Sequence, residues 1–215
     1  MRWRREELRQ ALTLAADHLS LYQLTIEPGT KFEGLHRSGS LILPDEATAT
    51  ALYEITGEEA ARFGLAAYEV SNYAVPGAES RHNLTYWRYA DYAGIGPGAH
   101  GRVSRDGVLF ATRRHRATEP WAERVERDGH GLTSERALSQ IERAREMLLM
   151  GLRLTEGIDA ARFHCRTGLA LEEAVDQDVL RLAEAEGYLV QAGGRLQATE
   201  AGRLRLDALL GALVC

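Results

Sequence analysis

The chain has 215 residues, of which 45% are hydrophobic and 27% charged, and a formal net charge of -5. This length suits one or two domains with ordinary cores, and the mild negative charge argues against a nucleic-acid partner. No apolar run has transmembrane length and no signal-peptide pattern opens the chain, so the expected location is the cytoplasm. The two cysteines, Cys165 and Cys215, are far apart and form no C-x-x-C pattern. They exclude a disulfide framework and a zinc site of the usual spacing, and they are too few to ligate a four-iron cluster.

In chain order, WRREELRQALTLAADH places Leu8, Leu12 and Ala15 at helical spacing, with charges on the other face. HLSLYQLTIEPGT follows as a strand, apolar on both faces as in a buried parallel sheet and ended by Glu27-Pro28-Gly29. After a loop, Pro44-Asp45-Glu46 opens a helix to about Phe63, capped by Gly64. LAAYEVSNYA reads as a second strand. Helix, strand, helix, strand is the grammar of a parallel α/β unit. A third short strand from Tyr92 leads into GIGPGAHG. RVSRDGVLFATR is a hairpin turning on Asp106-Gly107, and TEPWAERVERDG is a short helix with Thr118 as its cap.

Polar residues 129–137 read as a linker between a domain of residues 1–128 and one of residues 138–215. The second domain shows a helix over SQIERAREMLLMGLRL, a short helix over GIDAARFHCRTG and a longer one over LEEAVDQDVLRLAEAEG. A hairpin then turns on Gly193-Gly194, and a final helix closes the chain. This is a winged-helix-like arrangement. From Leu138 on, nine arginines and no lysine stand against twelve acidic residues, and the third helix is acidic. A DNA-binding surface needs the opposite balance, so packing or lid duty is the better reading. The first strand, buried on both faces, needs neighbours on both sides that three strands do not supply. The expectation is therefore the back portion of a larger barrel or sheet.

Several segments admit a chemical and a structural reading. In HNLTYW, His82 beside Asn83, Tyr86 and Trp87 could ligate haem iron, or the rings could be core anchors around a hydrogen-bonding histidine. GIGPGAHG has neither dinucleotide nor P-loop spacing; either its backbone approaches a ligand at a strand end, or it makes a tight turn. Glu69, Ser71 and Asn72 could face the same rim or cap loops, and Gln23, between Tyr22 and Thr25, could meet a cofactor or a neighbouring strand. His164 beside Cys165 could bind metal, or Phe163 and Cys165 could lie near a helix core with His164 facing solvent.

SLYQLTIEPGT, YEVSNYA and HNLTYWRYADYAGIGPGAHG, in that order, closely resemble the HemW family of radical SAM haem chaperones. The closing pattern GLRLTEGID, EGYLV and GGRLQATEAGRLRLDALL resembles that family's C-terminal domain. The resemblance runs from about Trp3 to Leu213. It implies a fold in the α/β class: the C-terminal part of a partial (β/α) radical SAM barrel followed by a small winged-helix-like domain. It also implies haem binding at His82, Asn83, Tyr86 and Trp87, with delivery to haem-accepting, membrane-associated proteins and a homodimer compatible with it. Tyr22, Gln23 and Thr25 would match the strand that contacts S-adenosylmethionine, and Gly98, Ala99 and His100 the glycine-rich rim. The family's C-x-x-x-C-x-x-C cluster motif is absent from this sequence. The chain as it stands is therefore not expected to hold a [4Fe-4S] cluster or carry out radical chemistry. The alternative that the resemblance allows is a fragment of an oxygen-independent coproporphyrinogen III oxidase, which the HNLTYW block disfavours.

Overall fold

The computed structural model describes residues 2–214. It divides into two compact units, residues 1–80 and 81–215. Cys215 lies outside the described residues.

The first unit holds α1 (Arg2–Leu14), β1 (His18–Ser20), α2 (Lys31–Arg37), α3 (Glu46–Arg62), β2 (Ala66–Ala67) and β3 (Asn72–Ala74). Leu8 and Leu12 of α1 pack against Ala60, Leu65 and Tyr73, which is the unit's core. Asp45 caps α3 by accepting from the Thr48 N–H, and Gly64 beyond its end has a φ of 77°. Glu59, on the buried side of α3, accepts from Arg5 Nη1 at 2.7 Å, Arg9 Nε at 2.7 Å and Arg62 Nη1 at 2.8 Å. Hydrogen bonding to Arg9 leads, against the opposing effect of burial, in holding its carboxyl at about 2.

Four expectations fail here. The three strands pair in the order β1-β3-β2 and antiparallel throughout, not parallel. The strand expected through residue 26 stops at Ser20, with one further rung from the Leu21 N–H to the Ser71 carbonyl. Among the described residues no strand lies alongside the rest of it, and Tyr22 is 73% exposed. LAAYEVSNYA is a tight hairpin instead of one strand, because Glu69 organises its bend. The fully buried Glu69 carboxylate accepts from the Ser71 N–H at 2.8 Å, from Ser71 Oγ at 3.0 Å and from the Asn72 amide. The segment expected as a loop before α3 contains α2, capped by Thr30.

The second unit opens with α4 (Arg81–Trp87) and an antiparallel sheet of β4 (His100–Arg105), β5 (Val108–Arg114) and β6 (Leu132–Ala137). Asp106 and Gly107 both have positive φ, as a two-residue type I′ turn requires. α5 (Thr118–Asp128) joins β5 to β6. Its cap residue is Ala117, not Thr118, and no side chain caps it. Of the segment read as a linker, residues 132–137 are the third strand of this sheet.

α6 (Gln140–Gly151) starts on a capping box between Ser139 and Glu142. It is followed by β7 (Ile158–Asp159), α7 (Ala160–Thr167), a 3-10 turn at Leu171–Glu173 and α8 (Gln177–Ala185). β8 (Leu189–Ala192), β9 (Arg195–Ala198), α9 (Glu200–Arg203) and α10 (Leu206–Leu213) complete the domain. Leu148, Leu152, Leu154, Phe163, Leu196 and Leu213 are its fully buried centre. The expected long third helix is split, because Asp176 caps α8 afresh by accepting from the Asp178 and Val179 N–H groups. The expected closing helix is also split into α9 and α10. Its Gly202 lies so close to the Tyr188 carbonyl that a Cβ there would come within 1.9 Å of the oxygen.

Candidate functional site

The site is built on α4. His82 and Tyr86 are four residues apart and share one face of the helix. Tyr86 Oη lies 3.0 Å from His82 Nε2, and the two rings meet edge to face at 4.7 Å. Tyr92 meets Tyr86 in the same way at 4.4 Å, giving a row of three rings. His82 is exposed and Asn83 half-buried. Burial pushes the Tyr92 hydroxyl pKa up.

Trp87 lies five residues along from His82 and turns to another part of the unit. Its ring carries the Arg153 guanidinium at 4.7 Å, and its Nε1 is buried without a partner among the described residues. Tyr89, at a φ of 51°, ends the helix and reverses the chain. The residues that follow are tied to the C-terminal domain. Arg88 donates to both Glu156 oxygens at 2.7 and 2.8 Å, and Arg162 Nη2 donates to the Arg88 carbonyl at 2.8 Å. Asp91 accepts from Arg166 at 2.8 Å and from the Ser104 N–H at 2.6 Å. Tyr89 Oη donates to Glu146 at 2.6 Å.

A cavity of about 420 Å³ opens between the end of α4, α6 and the β7–α7 segment. Trp87, Met147, Leu154 and Ile158 are its apolar lining, and Arg88, Arg162, Arg195, Glu156 and Asp159 its charged lining. Sequence reasoning missed these charged residues. The only signal was that Arg88 directly follows HNLTYW and that Glu156 and Asp159 sit in the TEGID block.

The glycine run folds back on itself. A Cβ on Gly94 would come within 2.3 Å of the His100 carbonyl oxygen, and one on Gly101 within 2.9 Å of the Gly94 nitrogen. Gly98 has a φ of 73° and its N–H donates to the His115 carbonyl at 2.7 Å. Ala99 pairs with Arg114, and His100 begins β4 with its side chain exposed. In the first unit Tyr22, Gln23 and Thr25 are exposed, and Gln23 Nε2 donates to the Ala49 carbonyl at 2.8 Å. Cys165 is exposed on α7 beside the exposed His164, because Phe163 alone of the three turns into the core. Among the described residues no group of three or more His, Cys, Asp or Glu side chains is placed to hold a metal ion.

Residues 138–205 match the family model of the HemN C-terminal domain. The chain is 38% identical to the heme chaperone HemW of Escherichia coli K12 over 205 residues, 95% of this chain and 51% of that protein. It is 34% identical to the heme chaperone HemW of Bacillus subtilis over 206 residues, 95% of this chain and 52% of that one. The chain belongs to the HemW family. Another relative, the mitochondrial radical S-adenosyl methionine domain-containing protein 1 of Danio rerio, is 33% identical and covers 95% of this chain and 48% of its own length. The chain spans about half the length of the relatives it matches. In fold it resembles Escherichia coli coproporphyrinogen III oxidase (HemN), a radical SAM enzyme, with a TM-score of 0.69 at 16% identity over 95% of this chain and 49% of that one. The mixed α/β fold with small sheets is that of the C-terminal part of such a protein. HemW is a radical SAM family, but the two cysteines of this sequence do not make a cluster site.

Proposed function

We propose that this chain carries the haem-holding part of a haem chaperone, with His82 as the iron ligand, Tyr86 beside it and Trp87 at the far end of the same helix. The observation that carries the reading is the exposed His82 imidazole, held by Tyr86 at 3.0 Å in a row of three rings. A neutral imidazole binds haem iron, and a hydrogen bond at one ring nitrogen orients the ring for the other. Here Nε2 meets Tyr86, which leaves Nδ1 as the nitrogen outside that bond. Asn83 belongs to the same helix turn as His82. Haem is cargo in this reading, passed on to haem-accepting proteins, including membrane-associated ones. The chain acts from the cytoplasm, and a homodimer is compatible with it. No described helix is long and apolar enough to cross a membrane.

We assign Tyr22, Gln23 and Thr25 of the first unit, and separately Gly98, Ala99 and His100 of the second, to contacts with S-adenosylmethionine. A radical step on S-adenosylmethionine needs cluster ligands that this sequence does not contain. The oxidase alternative has the fold likeness in its favour, and the HNLTYW block speaks against it.

The test is a haem titration followed by Soret absorbance, with His82→Ala and Cys165→Ser alongside. Saturable binding that weakens in His82→Ala and is unchanged in Cys165→Ser supports the reading. Equal binding by the wild type and His82→Ala removes His82 as ligand, and loss in Cys165→Ser moves the ligand to α7.

A further inference from the structure

The cavity below Trp87 has an uneven charge balance: three guanidinium groups and two carboxylates line it. The carboxylates are already engaged. Both Glu156 oxygens accept from Arg88. Asp159 caps α7 by accepting from the Arg162 N–H with one oxygen, and takes Arg195 Nη1 at 3.4 Å with the other. Arg195 also donates to the Glu156 and Gly157 carbonyls, and its Nη2 lies 3.9 Å from the Glu156 carboxylate. Arg162 is the exception. Its guanidinium makes one hydrogen bond, to the Arg88 carbonyl at 2.8 Å, and among the described residues no carboxylate lies within ion-pair distance of it. Arg162 is exposed overall; partial burial of its guanidinium first, and then the Arg88 and Arg166 charges, push its pKa down, while the Glu156 and Asp159 charges oppose them. The cavity's other wall is apolar and aromatic, and the buried Trp87 Nε1 has an unused proton.

A planar fork of N–H donors without an anion, beside an indole and aliphatic side chains, fits one kind of ligand: a carboxylate on a flat apolar body. We propose that this cavity is a carboxylate subsite, with Arg162 as its cation and Trp87, Met147 and Ile158 as the wall for the attached apolar group. The carboxylate has two chemical sources, a propionate of haem or a separate small aromatic acid. The first source rests on the haem reading above; the subsite itself does not.

The experiment uses the 215-residue chain. The Trp87 indole N–H resonance is assigned by Trp87→Phe and followed during titration with benzoate, then with inorganic phosphate. The expected result is a saturable shift with benzoate, about tenfold weaker in Arg162→Gln and partly restored in Arg162→Lys. No saturable shift with benzoate, or one unchanged in Arg162→Gln, overturns the proposal; saturation by phosphate alone overturns it in favour of a phosphate site. Haem and its dimethyl ester are then compared by Soret titration. Weaker binding of the ester, with the difference lost in Arg162→Gln, assigns the subsite to a propionate. Equal binding of haem and ester assigns it to a separate acid. If haem itself fails to bind while benzoate still saturates, the haem reading fails and the subsite stands. Circular dichroism of Arg162→Gln and Arg162→Lys confirms that both variants are folded.

Discussion

Arg102 on β4 meets Glu146 on α6 through two hydrogen bonds, Nε to Oε2 at 2.8 Å and Nη2 to Oε1 at 2.6 Å. The Tyr89 hydroxyl donates a third bond to the same carboxylate. The pair is mostly buried, with side-chain exposures of 18% and 25%. Burial pushes the Glu146 carboxyl up, but the Arg102 and Tyr89 bonds outweigh it and the net shift is downward. Glu146→Ala leaves Arg102 without its partner and should cost about 2 kcal/mol, below the full cost of breaking a wholly buried pair. Urea denaturation checks the value. A double-mutant cycle with Tyr89→Phe should show coupling, whereas two additive losses would mean that the three groups act separately.

The acid limb of stability should carry a signature of Glu59. Its folded pKa of about 2 lies below its ordinary value. A group shifted in this direction stabilises the fold above its unfolded pKa and loses that contribution as pH falls. The window runs from 4.5, the ordinary value, down to about 2. Glu59→Gln should lower the thermal midpoint at neutral pH and flatten its pH dependence across that window. Parallel curves for the two proteins would rule out the arginine cluster as the cause.

The glycine-rich segment gives a contrast between neighbours. Gly94→Ala drives a Cβ into the His100 carbonyl and should destabilise by about 2 kcal/mol. At Gly96 the space is open and only the φ of 96° opposes a side chain, so Gly96→Ala should cost about 1 kcal/mol. Thermal melts of the two variants compare them directly.

Tyr86→Phe removes the hydroxyl that holds His82 and keeps the ring row. One neutral hydrogen bond is worth about 1 kcal/mol, so haem affinity should fall about fivefold, less than in His82→Ala. A fall as large as that of His82→Ala would make Tyr86 itself the ligand.

The elements legible in the sequence are those whose signal is local. Asp106-Gly107 and Gly193-Gly194 gave both hairpins, since paired positive-φ residues announce the turn, and Asp45 with Gly64 bracketed α3. The bend at Tyr68–Ser71 was not legible, because a buried glutamate satisfied by its own hairpin looks like a polar residue at a strand end. α4 was read only as a motif: at seven residues it is too short for a helical period to register. The candidate histidine and rings were named from their types, but the cavity beside them was not. Arg162 reaches the Arg88 carbonyl across 74 residues, and no spacing rule spans that distance.

The break between the compact units falls at Ser80–Arg81, and α4 begins on its far side. The partners named above for the stretch from Arg88 to Asp91 are downstream as well: Ser104, Glu146, Glu156, Arg162 and Arg166. The three-ring row is thus a transplantable cassette. Residues 81–214, joined to an unrelated carrier, would take with them both the imidazole and the scaffold that aims it.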